Sequence, residues 1–415
     1  MHESVVDRLK NFKFLEIYIY SSALIAAANE WKHRNVEVPT LLTDGGYVYK
    51  MEGIVPKGLW GRFLQARIFK QKKGIGMSLT LSWTVVRVNT KFEFKIARSA
   101  FSHYDRVILQ LGDGQHLAYG EAAPNIRYEA GCEAIVAMLD QNKSQILELA
   151  IDDAESRQEA LEKMFPESYA LQAALDTLFW DLYGKRRAAP LWKIFGANKD
   201  LVISSYTIGI SDLSAIPAKI EEATPYPILK IKLGTDYDHD IIRAIRAETD
   251  KVLRVDVNEG WKTLDEAKQG TEWLIEENVE FLEQPMPASQ LDDIAKLREF
   301  SPLPIVADEN SVRPEDLKGL VGAYDGINIK LMKCGGLTNA RKMVELSQKY
   351  GFDIMMGCML ETSIGISAMA QLGSFARWLD LDGNVLIADD PYLGVGNTGG
   401  QIILNDKPGL GVEPR

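Results

Sequence analysis

A chain of 415 residues, 46 % hydrophobic and 25 % charged, has the composition of a globular protein. It is long enough for two domains, since single cores stop growing near about 250–300 residues. Its net charge of −11 argues against nucleic acid or an anionic membrane as partner and leaves a homo-oligomer open. Cys132, Cys334 and Cys358 lie far apart with no CxxC pair, which argues against a zinc site or a disulfide framework and suits a reducing cytoplasm.

Residues 1–76 hold 12 Lys and Arg against 7 Asp and Glu, the reverse of the balance in the whole chain. Within them Phe14–Ala28 is apolar apart from Glu16, and its 15 residues are too few to cross about 30 Å of hydrocarbon as a helix. Lys10 and Lys13 before the run, and Ala26-Ala27-Ala28 at its end, have the outline of a signal peptide, but Glu3, Asp7 and Glu16 are out of place in one. The segment is read as an N-terminal stretch without an assigned role, with Met77 as an alternative start.

Residues 77–195 read as an α+β domain, with strands at Leu79–Val88 and Val107–Leu111 and helices around Cys132–Leu139 and Ser168–Tyr183. From about residue 196 to 385 short β-branched runs alternate with amphipathic stretches, the pattern of βα units around a parallel sheet. Expected strands are Ile203–Ile210, Ile228–Leu233, Val252–Asn258, Val279–Glu283, Ile305–Glu309, Gly326–Leu331 and Ile354–Gly357, with an eighth near Leu379–Asp382. Helices are expected at Asp238–Thr249, Leu264–Glu277 and Thr338–Tyr350. The Gly- and Pro-rich tail, about 386–415, is too irregular for another βα unit and is expected to complete the α+β domain.

Lys232, Asp256, Glu283, Asp308 and Lys330 end successive strands at intervals of about one βα unit. In a (β/α) barrel such ends meet at the C-terminal rim, where active sites are built. Asp256, Glu283 and Asp308 are hard oxygen donors suited to one Mg²⁺ per subunit. Lys230 and Lys232 share a strand face, and their proximity favours a neutral lysine base. Lys330 lies four strands further round, across the barrel from Lys232. Two lysines facing each other over a metal-bound carboxylate suit abstraction of an α-proton from one face and its return to the other, which is racemisation or epimerisation.

Leu229-Lys230-Ile231-Lys232, Val255-Asp256-Val257-Asn258, Glu283-Gln284-Pro285, Ala307-Asp308-Glu309 and Asn328-Ile329-Lys330 resemble the muconate-lactonising-enzyme subgroup of the enolase superfamily. Trp180-Asp181-Leu182-Tyr183-Gly184-Lys185 resembles that family's helical segment before the barrel, and Ala174-Leu175-Asp176 fits less diagnostically. The resemblance spans about 77–415 and implies a modified TIM (β/α) barrel closed by an α+β capping domain. It makes Lys232 and Lys330 the acid/base pair, Asp256, Glu283 and Asp308 the metal ligands, and Lys230 a contact of the substrate carboxylate. The histidine-based subgroup is disfavoured, because the one barrel histidine, His239, opens a helix between Asp238 and Asp240.

Asp380-Leu381-Asp382 resembles the DxD pair of dipeptide epimerases, whose carboxylates hold the free ammonium of the dipeptide. The same resemblance makes Cys358 and Met359, in the seventh-strand segment, and Thr207, on the first strand, contacts of the dipeptide. Arg98, in the capping loop, would suit an acidic C-terminal side chain, as in L-Ala-D/L-Glu. The expected enzyme is an isomerase acting on a dipeptide through an enediolate. o-Succinylbenzoate synthase, N-acylamino acid racemase and cycloisomerase activities share the scaffold, and a non-catalytic barrel protein would have lost a lysine or a metal acid.

Overall fold

The computed structural model describes residues 79–96, 99–129 and 131–415, together with four short strands before them. Those strands, Glu16–Tyr18, Leu42–Asp44, Tyr47–Glu52 and Gln65–Lys72, form an antiparallel sheet in the order first, fourth, third, second. They belong to a unit, Met1–Ser78, separate from Leu79–Arg415. Most of Phe14–Ala28, and Arg98, lie outside the described residues.

The second unit opens with an antiparallel three-stranded sheet in sequential order: β1 (Thr80–Ile96), β2 (Ser99–Gly112) and β3 (Leu117–Ala122). The third strand carries no β-branched residue, which hides it in the sequence. Its small residues serve contact instead, for a Cβ on Gly120 would lie 2.1 Å from the carbonyl oxygen of Ala174. Helices α1 (Cys132–Leu147), α2 (Ala154–Met164) and α3 (Tyr169–Arg186) follow.

Most of α3 is buried, and two of its acids do structural work. Asp176 accepts hydrogen bonds from Thr338 N (2.8 Å), Thr338 Oγ1 (2.8 Å) and the Arg157 guanidinium (3.1 Å), tying the helix to a later one. Asp181, 0 % exposed, accepts from Tyr119 N on β3 (2.9 Å), Leu410 N in the tail (2.8 Å) and Lys185 Nζ (2.7 Å). Asp181→Ala would orphan two buried N–H groups and take the counter-ion from Lys185. A loss of about 3 kcal/mol or more is expected, read as a lower denaturant midpoint. An unchanged midpoint would show that the tail and sheet are held elsewhere.

The barrel strands are β4 (Tyr206–Ile208), β5 (Ile228–Lys232), β6 (Val252–Asp256), β7 (Val279–Glu283), β8 (Ile305–Ala307), β9 (Gly326–Ile329), β10 (Asp353–Gly357) and β11 (Trp378–Asp380). Each pairs in parallel with its neighbour in sequence, and a parallel bridge from Ser204 to Leu379 joins the first to the last. Leu229, Ile231, Leu253 and Val255 are fully buried, as expected for strands covered on both faces. Helices α4 (Ile216–Glu222), α5 (Asp238–Glu248), α6 (Leu264–Ile275), α7 (Leu291–Phe300), α8 (Leu337–Tyr350) and α9 (Ser363–Ala370) lie between them. A capping box of Thr263 and Glu266 starts α6, with both reciprocal bonds made. Between β8 and β9 a 3-10 turn, Leu317–Leu320, stands in place of a helix.

Several strands are shorter than their apolar runs suggest. β4 spans Tyr206–Ile208, Asp308 and Lys330 lie one residue beyond β8 and β9, and β11 stops at Asp380. Asp382 therefore stands on irregular backbone past the strand end. The tail forms two small antiparallel pairs, Tyr392–Leu393 with Glu413–Pro414 and Gly396–Thr398 with Gln401–Ile403. It returns to the α+β layer, where Leu191 N donates to Gly409 O (3.0 Å) and Thr90 bridges Ile387.

Candidate active site

Strand register assembles the rim. Asp256 is the paired partner of Lys232 on one side and of Glu283 on the other, so the three stand level on β5, β6 and β7. Asp308 follows β8, and a carboxylate oxygen from each of Asp256, Glu283 and Asp308 lies within 4.8 Å of the others, all three residues buried. Three hard oxygen donors at this spacing fit one divalent cation.

Four lysines compensate these acids. Lys232 Nζ lies 2.6 Å from Asp256 Oδ2. Lys230, 1 % exposed, reaches Glu283 Oε2 (2.6 Å), Asp380 Oδ2 (2.7 Å) and Asp256 Oδ2 (3.2 Å). Lys330 Nζ lies 2.8 Å from Asp308 Oδ2 and Lys333 Nζ 2.5 Å from Asp308 Oδ1. Lys230 and Lys232 thus share one oxygen of Asp256, as expected for residues on one strand face.

Burial works against the charge on Lys230, but Asp380, Glu283 and Asp256 hold it an ammonium well above the usual lysine range. Burial likewise opposes ionisation of Asp256, yet Lys232 and Lys230 bring it down to about 2. Asp308 is held well below its ordinary value against burial by Lys330 and Lys333. Burial and the Asp256 charge push Glu283 up to about 7.

Around these residues lies a supporting layer to which the motifs assign no role. Asn328 Nδ2 donates to Glu283 Oε1 (2.8 Å). Gly357 must be glycine beside it, because a Cβ there would meet Asn328 Oδ1 at 2.5 Å. Gln284, fully buried at φ 37°, accepts from Asp308 N (3.0 Å) and donates to Met286 O, Asn310 Oδ1 and the Tyr324 hydroxyl. Lys333 was the least expected. Its spacing from Lys330, three residues on, was its one signal.

The DxD pair is divided in its partners. Asp380 takes Lys230 on Oδ2 and the Ser205 hydroxyl on Oδ1 (2.8 Å). Asp382 accepts Thr207 N on Oδ2 (2.6 Å), and among the described residues no cation lies within ion-pair distance of it. Burial and the neighbouring Asp380 push Asp382 up to about 7. Thr207 links the two, with its hydroxyl 3.5 Å from Asp380 Oδ1. Cys358 Sγ lies 3.2 Å from Asp380 O and 4.0 Å from Asp382 Oδ1, and Met359 N donates to Glu361 Oε1 (2.7 Å). Thr207 and Cys358 therefore each touch both residues of the DxD pair, and Lys230 joins Asp380 to the acid triad.

The α+β layer covers this mouth. Arg127 pairs with Glu259 of the β6 loop (2.7 Å), whose Oε1 also accepts Ala288 N, and Arg106 Nε donates to Leu360 O (2.7 Å). Burial and the Asp308 and Glu309 carboxylates push the Tyr128 phenol well above its ordinary value, which marks this loop as a neighbour of the acids.

Residues 216–415 match the family described as Enolase C-terminal domain-like. An L-Ala-D/L-Glu epimerase of Bacteroides thetaiotaomicron is 38 % identical over 362 residues, covering 86 % of this chain and 94 % of the relative. An L-Ala-D/L-amino acid epimerase of a Maribacter species is 38 % identical over 306 residues, covering 74 % and 90 %. Among solved structures, a substrate-liganded L-Ala-D/L-Glu epimerase from Bacillus subtilis superposes with a TM-score of 0.76 at 26 % identity, covering 80 % of this chain and 98 % of that one. A dipeptide epimerase from Enterococcus faecalis, complexed with Mg and L-Leu-L-Tyr, has a TM-score of 0.76 at 29 % identity and covers 81 % and 100 %. With an eight-stranded parallel barrel, a three-acid rim and relatives matched over most of their length, the chain belongs to the dipeptide-epimerase family of the enolase superfamily, a family of isomerases.

Proposed function

We propose that the chain inverts the α-carbon of one residue in a dipeptide by Mg²⁺-dependent, two-base proton transfer through an enediolate. The observation that carries this reading is the pair of lysines on opposite flanks of one acid triad, Lys232 on Asp256 and Lys330 on Asp308. Asp256, Glu283 and Asp308 would hold the ion. When bound, Mg²⁺ would supply positive charge to the substrate carboxylate and to the enediolate that forms as the proton leaves.

The remaining steps belong to the chain's own residues. One lysine, neutral, takes the α-proton, and the opposite lysine, as ammonium, gives its own to the other face of the carbon. One gains what the other loses, so the charge of the site is the same after turnover. Lys230, held at the centre by three acids, would meet the substrate carboxylate with the donor freed when an acid of the triad turns to the ion. Asp382, which lacks a cationic partner among the described residues, would receive the free ammonium beside Asp380, with Thr207, Cys358 and Met359 lining the dipeptide. Arg98 would favour an acidic C-terminal side chain, with L-Ala-D/L-Glu as the substrate to try first. The three free cysteines suit a cytoplasmic setting. Among the described residues no helix is long and apolar enough to cross a membrane.

Chelation with EDTA is expected to abolish turnover and added Mg²⁺ to restore it. Asp256→Ala, Glu283→Ala and Asp308→Ala should each lose turnover together with Mg²⁺ binding measured by calorimetry. Full activity in rigorously metal-free protein would overturn the mechanism.

A further inference from the structure

We infer that Lys333 is a positioning residue whose task is to hold Asp308 while Lys330 releases it. The inference rests on the acid/base reading given to Lys330 above. Lys333 is 0 % exposed, and its ammonium lies 2.5 Å from Asp308 Oδ1, 2.6 Å from Asp308 O and 3.1 Å from Asn328 O. An ammonium has three donors, and these three acceptors use them all. No donor is left to reach a substrate.

Lys330 differs in kind. Its one ion pair among the described residues is with Asp308 Oδ2, and it stands at the head of the single helical turn Leu331–Cys334. Asp308 is thus gripped unequally, Oδ1 by a lysine sealed in protein and Oδ2 by the lysine proposed to move protons. For Lys330 to act on the substrate carbon, its contact with Oδ2 has to loosen. Asp308 is only 4 % exposed, and a buried carboxylate that has lost its counter-ion is costly. Lys333, bound to Oδ1, to the backbone carbonyl of Asp308 and to that of Asn328, keeps the carboxylate in place beside the ion when Oδ2 is released.

The backbone is built to bring Lys333 under the rim. The turn ends at Gly335 (φ +87°) and Gly336 (φ +123°), and a Cβ on Gly336 would lie 2.7 Å from Asp176. Arg313 Nη1 (2.9 Å) and Asn339 Nδ2 (2.7 Å) both donate to Cys334 O, so the turn that carries Lys333 is anchored from two sides.

The test is Lys333→Met, followed by Mg²⁺ calorimetry and by α-deuterium uptake from each dipeptide epimer separately in D₂O. Lys330→Ala identifies the epimer whose exchange depends on Lys330. In Lys333→Met that exchange should fall about 10–100-fold and the Mg²⁺ Kd should rise about tenfold or more, as for loss of a group that orients a metal ligand. Exchange on the Lys232 side should fall much less at saturating Mg²⁺. Equal losses on both sides at saturating Mg²⁺, or an unchanged Mg²⁺ Kd, would overturn the inference. Lys333→Gln, which keeps one donor for Asp308, is read in the same way if the methionine variant does not fold. Should wild type exchange neither epimer, the acid/base reading fails on its own account, and the Mg²⁺ Kd still decides whether Lys333 positions Asp308.

Discussion

Lys232→Ala and Lys330→Ala are each expected to stop epimerisation while leaving α-proton exchange from one epimer, and from opposite epimers in the two variants. Removing a positioned general acid or base costs about 10²–10⁴-fold, and epimerisation needs both lysines in every turnover. Exchange needs only one, because a single lysine can remove a proton and return a deuteron to the same face. The geometry behind the expectation is the placement of the two ammonium groups, that of Lys232 on Asp256 at the end of β5 and that of Lys330 on Asp308 after β9, four strands further on. Each substitution also strips a cation from a metal acid, so Mg²⁺ should be saturating in the comparison. If both variants exchange the same epimer, the lysines do not flank the substrate.

Asp382→Asn is expected to lower kcat/KM for a free dipeptide by several hundred-fold, corresponding to about 3–5 kcal/mol for loss of the charged partner of a buried ion. Asparagine keeps an oxygen for Thr207 N, so the loop should stay in place. Mg²⁺ affinity should hardly change, because the metal acids lie on other strands. An N-acetylated dipeptide has no ammonium, and its already poor turnover should suffer far less. The double ratio of kcat/KM, free against acetylated and wild type against variant, isolates the contact. A ratio near one would favour an acylamino acid racemase. Asp380→Asn should behave differently, since Asp380 is an ion-pair partner of Lys230, and its loss should weaken Mg²⁺ binding as well.

The barrel and its rim were legible because each βα unit is a local object. A β-branched run, a turn and an amphipathic helix recur at nearly constant length, so the ionisable residues at successive strand ends declare themselves as a series. Lys232, Asp256, Glu283, Asp308 and Lys330 needed no tertiary contact to be singled out. Their residue types alone point to the proposed chemistry, a metal-held carboxylate between two bases.

Which cation meets which acid was decided by the tertiary structure. Lys230 joins Asp380 across 150 positions of sequence, and this partnership separates the two carboxylates of the DxD pair. Lys333 is one more polar residue after a strand in the sequence, and a glycine-terminated turn folds it beneath Asp308. β3 escaped notice because its small residues are selected by contact with α3 rather than by strand propensity. Asp176 and Asp181, set in stretches that resemble the family's, are ties between layers. Periodicity reports which face a residue occupies within its own element. Partners between elements depend on register, barrel closure and the return of the tail, and those are set by packing over the whole chain.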